Sequence, residues 1–412
     1  MHIFSTVLRS FLVLALCGGM AHAADTELRL PAGFHAEVVA EGLGPIRFIA
    51  LAPDGRLYAK SRGNGLTAVR MHDGHAVQIE RFGSGAGTGI AVRNGWLYYS
   101  SNTAVYRYRL VPGQLVPSGA PQLVAGGFPV QFQHSAKAFA FDGSGNLYVD
   151  VGAPSNASGQ PDRARRARGI DPAPLLRRQG GIWRFPAGAV NQFQERGGER
   201  YATGLRNVLA LAWQPVSRRL FAVQMGRDQL DTVAPQYYTT ADNARLPAEE
   251  MFAITRGGDY GWPYTYYDPQ RKARMLAPEF GGDGRKRATP GRYPDPVVAF
   301  PAHWAPMQMT FYTGTQFPAH YRDGAFIAFH GSWNRAPEPK AGYLVAFVPF
   351  DPKGMPTGRY EVFADGFAGR TVVHSPGQAT YRPCGIAQGP DGALYVADSV
   401  RGRIWRITYR TP

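Results

Sequence analysis

A short motif, a turn followed by an apolar strand, recurs six times along the chain. It reads DGRLYAK at 54–60, NGWLYYS at 94–100, SGNLYVD at 144–150, SRRLFAV at 217–223, DGAFIAF at 323–329 and DGALYVA at 391–397. Five of the six turns hold a glycine, which adopts positive φ readily, and the leucine or aromatic pair behind it suits a buried strand. A second strand follows each copy: TAVRMH from Thr67, AVYRYRL from Ala104, GGIWRFP from Gly180, EEMFAIT from Glu249, GYLVAFVPF from Gly342 and GRIWRITY from Gly402. The alternation in Ile404-Trp405-Arg406-Ile407 marks a sheet strand with two different faces. Six copies at roughly 65 residues each leave room for a four-stranded blade and its loops. The expected fold is all-β, a six-bladed β-propeller, with a pair of β-sandwiches as the competing arrangement. Fifty Gly and 33 Pro in 412 residues fit frequent turns and exclude a helical bundle. The copies are unevenly spaced, widest between Ser217 and Asp323. The stretch from Tyr264 to Val297, rich in Pro, Gly and charge, predicts an inserted loop near one mouth of the channel.

The first residues look like an export signal. Arg9 supplies a positive start, Phe11 to Leu16 a short apolar run, and Ala21-His22-Ala23 the small residues of a cleavage site. The expectation is a cleavable signal peptide at 1–23, a propeller domain at 24–412, and a periplasmic or secreted protein. Cys17 would suggest a lipid anchor, but Leu16 before it is too bulky for that pattern. The apolar run is too short to cross a bilayer and nothing else approaches 18 apolar residues, so the chain is expected not to span a membrane. Beyond the leader Cys384 is the only cysteine, which rules out an intrachain disulfide, and the absence of Cys-x-x-Cys-His rules out a c-type haem on this chain. A formal charge of +15 points to acidic partners. Much of it lies in an arginine cluster between Arg163 and Arg178 that reads as a solvated surface loop. For an exported protein nucleic acid is not the expected partner; an acidic protein or an anionic membrane surface fits better.

Propeller ligands bind where loops converge at one end of the channel, so polar residues near strand ends are the candidates. They are Gln133-His134-Ser135, Gly204-Leu205-Arg206-Asn207, the run GGDYGWP at 257–263, His303-Trp304, HGSWNR at 330–335 and Arg382-Pro383. Singly each has a structural explanation: a strand-end histidine bonding a loop, a Gly-Trp-Pro turn that packs, an Arg-Asn pair satisfying carbonyls. No Gly-x-Ser-x-Gly elbow supports a serine hydrolase, and no His-Glu-x-x-His supports zinc.

In order and placement, these segments resemble the soluble pyrroloquinoline-quinone-dependent glucose and sorbosone dehydrogenase family. The resemblance rests on LPAGF at 30–34, Gly-Leu-Arg-Asn at 204–207, GGDYGWP, HGSWNR and the last blade from Pro383 to Ile407, and covers nearly all the chain after the leader. It implies a six-bladed propeller that uses pyrroloquinoline quinone (PQQ) and calcium to oxidise sugars. His134 then corresponds to the general base, given a pKa near working pH. Arg206 corresponds to the cation beside the reduced quinone carbonyl and Asn207 to its neighbouring cofactor contact. Calcium would be held by backbone carbonyls of Gly226-Arg227, where the family has Gly-Pro; Asp228 and Asp231 close by read as solvated acids. Arg382 matches one of an arginine pair whose second member is Cys384 here. The family's lysine in the fifth blade has no counterpart, with Arg335 or Lys340 as substitutes, and His303 falls near a cofactor-contacting threonine. These departures place the chain nearer the sorbosone branch. The resemblance implies a sugar, aldehyde or alcohol substrate and an external electron acceptor, a cytochrome c or a quinone. A calcium-dependent lactonase-type hydrolase and a non-catalytic glycan- or protein-binding propeller are the alternatives.

Overall fold

The computed structural model describes residues 28–411 except Asn64; the expected signal peptide lies outside the described residues. Within them, the repeat builds six sheets with four antiparallel strands each, two of which gain a short parallel fifth strand at the edge, Gln192–Phe193 in blade 2 and Gly258–Asp259 in blade 3. Blade 1 is Ile46–Leu51, Leu57–Ser61, Leu66–His72 and His75–Phe82. Blade 2 is Ile90–Arg93, Trp96–Ser100, Val105–Arg109 and Gln122–Gly126. Blade 3 is Phe139–Phe141, Asn146–Val151, Gly181–Pro186 and Glu199–Thr203. Blade 4 is Val208–Gln214, Arg219–Gln224, Glu249–Ile254 and Val298–Phe300. Blade 5 is Pro306–Phe311, Ala325–His330, Tyr343–Val348 and Glu361–Ala364. Blade 6 is Pro383–Gln388, Leu394–Asp398 and Ile404–Tyr409, completed by Phe34–Ala40 from the other end of the chain. The propeller, and not the sandwich pair, is the fold.

The six repeated segments are the second strands, and the segments after them are the third. Second strands are sandwiched within a blade and between blades, so they are the most uniformly apolar and the easiest to see in the sequence. The first strands line the channel and lie against one another from blade to blade. Gln308 joins three of them: it accepts from the backbone N–H of Ile49 (3.0 Å) and of Ile386 (2.9 Å) and donates to the Ile49 carbonyl (2.9 Å).

Ring closure pairs Phe34 with Tyr409 and Ala36 with Ile407. Aromatic packing holds that seam, with Phe34 edge-on to Phe317, Tyr321 and Phe363 at 4.8–5.1 Å between centroids. Phe34→Ala would leave a cavity there and cost about 3–5 kcal/mol.

In an antiparallel blade the first strand begins and the second strand ends at the same mouth. Loops entering first strands and loops joining second to third strands therefore converge there. Those in blades 3 and 4 are long: 152–180 carries the hairpin Gly159–Gln160/Arg168–Gly169, and 225–248 carries the short helices Leu230–Val233 and Thr240–Arg245. The expected insertion occupies the same mouth. Gly258–Asp259, just ahead of it, runs parallel to Ala202 and Thr203 at the edge of blade 3, and the insertion itself opens with the hairpin Thr265–Asp268/Ala273–Leu276. Arg274 anchors it to Glu250 of blade 4 at 2.5 Å.

Candidate active site

His134 and Arg206 enter blades 3 and 4 from neighbouring loops, and residue 153 couples them. The N–H of Ala153 donates to the Arg206 carbonyl (2.8 Å), and the Ala153 carbonyl lies 2.7 Å from His134 Nδ1. That acceptor fixes the proton on Nδ1 and leaves Nε2 as a lone pair. Burial, and then the Arg206 guanidinium, push the His134 pKa down to about 3, against the sequence expectation of a value near working pH. The imidazole is therefore neutral across the ordinary pH range. Gly152 makes the fit possible: a Cβ there would lie 2.7 Å from the His134 Cβ and 2.8 Å from its carbonyl oxygen. The side-chain amide of Gln131 ties the loop by donating to the carbonyls of Gln133, His134 and Gly152.

Arg206 is buried and held from several directions. Nε donates to the Asn156 carbonyl (3.0 Å), Nη1 to the Gly226 carbonyl (2.8 Å), and Nη2 to Asn156 Oδ1 (3.0 Å) and Asp228 Oδ2 (2.9 Å). Asp228, expected to be solvated, is instead buried at the centre of this network. Burial alone would raise its pKa, but Arg206, His303 and Arg163 hold it far below the usual carboxylate range. The misreading has a physical cause: nothing near Asp228 in sequence reveals that a guanidinium 22 positions away neutralises it. Asp231 lies at the start of the helix Leu230–Val233 and accepts from the N–H of Thr232.

His303 does reach this network. Its Nδ1 is 3.6 Å from Asp228 Oδ1, and Nε2 is 2.7 Å from the Asn243 carbonyl. Asn207 donates to the Met225 sulfur at 3.1 Å, while its buried Oδ1 has no partner. Sequence reasoning missed Asn156 and Arg163. Asn156 bonds both Arg206 and Asp228, and Arg163 bonds Gln133 (2.9 Å) and Gln229 (2.8 Å) and lies 3.4 Å from Asp228. Arg163 belongs to the cluster read as a solvated loop; only its position in that cluster was visible in the sequence.

Arg382 stands across the mouth in blade 6; its guanidinium bonds only carbonyls, those of His330 (2.9 Å) and Gly331 (2.8 Å), while its backbone N–H donates to Asp398 Oδ1 (2.6 Å). Its expected partner position, Cys384, is buried, and Arg47 of blade 1 comes to it, with Nη1 3.9 Å from the sulfur. A second arginine therefore does stand beside Arg382, supplied by another blade. Burial, then Arg382, Arg47 and Arg62, push His330 well below its ordinary pKa, so this side of the mouth is electropositive. Arg335 is engaged elsewhere: it pairs with Glu338 at 2.6 Å and donates to the carbonyls of Ala244 and Ala302, stitching two loops together. None of these bonds reaches the Arg206 cluster. Lys340 pairs through its backbone with Val373.

The guanidinium groups of Arg382 and Arg47, with which no carboxylate pairs among the described residues, fit a flat polyanion such as PQQ, and the orphaned Asn207 Oδ1 is free to accept from an N–H or O–H donor of a ligand. The calcium expectation fares differently. The Gly226 carbonyl already accepts from Arg206, and the Arg227 side chain is buried in an ion pair with Glu279. A divalent cation on that carbonyl would sit against a guanidinium, so the residues as arranged do not fit calcium at Gly226-Arg227. Nor do they suit a lactonase-type acidic ring: Asp228 is neutralised, and Glu249 accepts from the N–H groups of Gly226 (2.7 Å) and Ala305 (3.0 Å).

A six-bladed propeller whose mouth gathers a neutral histidine and several buried arginines defines a class of protein suited to an anionic ligand. Within that class, the chain belongs to the TrAA12-like family, whose model matches residues 28–410. The fold is similar to that of the holo PQQ domain of pyranose dehydrogenase from Coprinopsis cinerea, at 18% identity with a TM-score of 0.72, covering 93% of this chain and 97% of that one. A calcium structure of a family AA12 enzyme from Trichoderma reesei is similar at 17% identity and a TM-score of 0.76, with the same coverage. The PQQ-bound aldose sugar dehydrogenase of Streptomyces coelicolor gives 0.55 at 20% identity, over 93% of this chain and all of that one. Among curated proteins, an uncharacterized protein of Borreliella burgdorferi is 28% identical over 51% of this chain. The PQQ-dependent pyranose dehydrogenase of Coprinopsis cinerea is 26% identical over 39% of it. The chain spans 49% and 25%, respectively, of those relatives' lengths.

Proposed function

We propose that the protein is an exported quinoprotein oxidoreductase that oxidises a hydroxyl of a sugar, or of a hydrated aldehyde, with PQQ as its bound oxidant. Membership of the TrAA12-like family supports the chemistry, and the observation that carries it is the neutral His134 held against Arg206 through residue 153. PQQ when bound supplies a two-electron acceptor and three carboxylates. Arg382 and Arg47 would hold carboxylates, and Asn207 would orient the ring system through its unpartnered oxygen. His134 Nε2 would take the substrate hydroxyl proton, with Nδ1–H on the Ala153 carbonyl keeping the tautomer and orientation fixed. Arg206, locked by Asn156 and Asp228, would present fixed positive charge where negative charge develops. Electrons would leave to an external acceptor, either a cytochrome c or a quinone.

The test is reconstitution of the purified protein with PQQ, with and without calcium, following quinone absorbance and then dye reduction over a panel of sugars and aldehydes. Stoichiometric binding with turnover that His134→Ala abolishes is the expected result. An His134→Ala protein as active as wild type would remove the proposed base. Comparison of the two calcium conditions decides whether Arg206 yields the Gly226 carbonyl to a metal once PQQ is present.

A further inference from the structure

Beside the proposed active site lies a second concavity of about 700 Å³, formed where the 152–180 loop, the segment after Leu230–Val233 and the insertion meet. Three arginines line it: Arg166 and Arg168 from the first and Arg292 from the third. All three are exposed, and among the described residues no carboxylate pairs with any of them. Of the acids at its wall, Glu279 is taken by Arg227, and Asp171 faces the Tyr264 hydroxyl. Aromatic surface accompanies the charge. Tyr237 is 49% exposed, Tyr264 and Phe280 lie 4.7 Å apart, and the Arg292 guanidinium stands 5.3 Å over Tyr293.

We infer that this cleft binds an anionic saccharide segment, with Arg168 and Arg292 taking its charged groups and Tyr237 offering a flat face to a sugar ring. A guanidinium fork matches carboxylate or sulfate geometry, and an exposed tyrosine gives an apolar face with a polar edge, the pairing a charged sugar needs. A concavity of this size suits a few sugar rings better than a protein partner, which meets a broader and flatter surface. One buried ion pair separates the cleft from the active-site network: Glu279 lines the cleft, and its partner Arg227 donates to the Asp228 carbonyl at 3.4 Å. A chain seated in the cleft would thus lie beside the site where its end is oxidised. That connection rests on the proposed sugar oxidation; the binding does not.

The test is calorimetric titration of the PQQ-loaded protein with trigalacturonate, a heparin-derived tetrasaccharide and neutral maltotriose, for wild type, Arg168→Gln/Arg292→Gln and Tyr237→Ala. All three positions are exposed, so the variants should fold; thermal unfolding checks this. The expected result is binding of trigalacturonate that weakens about tenfold or more in the double arginine variant and falls with added salt, while maltotriose binds far more weakly. The same losses with the sulfated chain alone would keep the site and name sulfate as its anion. Equal affinity for maltotriose, unchanged affinity in the arginine variants, or no binding of either anionic chain would overturn the inference. Dye reduction on the same samples separates the two readings. Cleft binding without turnover of any sugar or aldehyde of the panel removes the dehydrogenase and leaves the cleft; turnover without cleft binding does the reverse.

Discussion

The two sides of the channel mouth carry similar charges and treat them in opposite ways. On the side of blades 3 and 4, Arg206 and Arg163 are matched by Asp228 and by a web of amides and carbonyls, so the charges of that half are balanced without a ligand, while Asn207 Oδ1 is left unpartnered. On the side of blades 5, 6 and 1, the Arg382 guanidinium bonds only carbonyls and that of Arg47 reaches only a thiol. A neutralised half can hold a histidine and a cation in fixed positions, as proton transfer requires. Asp398 on the second side accepts backbone N–H groups, that of Arg382 among them, and pairs with neither the Arg382 nor the Arg47 guanidinium, so both are left to bond an arriving anion. Under the proposed function, the first half would carry the chemistry and the second would capture the cofactor.

Five experiments would break or sharpen that division. His134→Ala should lower kcat by about 10²- to 10⁴-fold while PQQ still binds, measured by dye reduction and quinone absorbance. In wild type, kcat/KM should show no acid limb near 6.5, because His134 stays neutral down to about pH 3. Asp228→Ala should destabilise the protein by about 3–5 kcal/mol in denaturant unfolding, since it strands the buried Arg206 without its counter-ion.

Glu249 supplies a pH test of the same half. Burial raises its pKa from 4.5 to about 7, partly opposed by the two N–H groups it accepts from. The folded protein holds this proton more tightly than the unfolded chain does. Its contribution is therefore complete below about 4.5 and is lost as the pH rises through about 7, at most about 3 kcal/mol. Glu249→Gln should flatten that slope in urea unfolding between pH 5 and 8. The smallest effect belongs to the other half. Arg382→Gln should weaken PQQ about tenfold, or about 1.4 kcal/mol, while leaving unfolding stability nearly unchanged. If Arg382→Gln destabilised the protein as much as Asp228→Ala, the distinction between the halves would fail.

Much of the architecture was legible because its signals are local. A glycine turn, a buried second strand and an alternating third strand recur within twenty or so residues wherever the mutual spacing allows, and six repeats mean six blades. Two first strands escaped notice because they are short, four residues in Ile90–Arg93 and three in Phe139–Phe141, with little room for a period to show. His134 and Arg206 were visible as polar residues just ahead of such strands. Asp228, Asn156 and Arg47 were not, because their significance lies in partners contributed by other blades.

The sequence by itself therefore determined the blade count and the mouth where the loops gather, since both follow from short-range turn and strand preferences; His134 and Arg206 were singled out there by the resemblance to the dehydrogenase family. The tertiary structure alone decided which charges are cancelled and which are left open. Asp228 meets Arg206 from 22 positions away, and Arg47 meets Cys384 from 337. Coulomb and desolvation energies depend on distance in space and on burial, and neither is written in the spacing of residues along the chain.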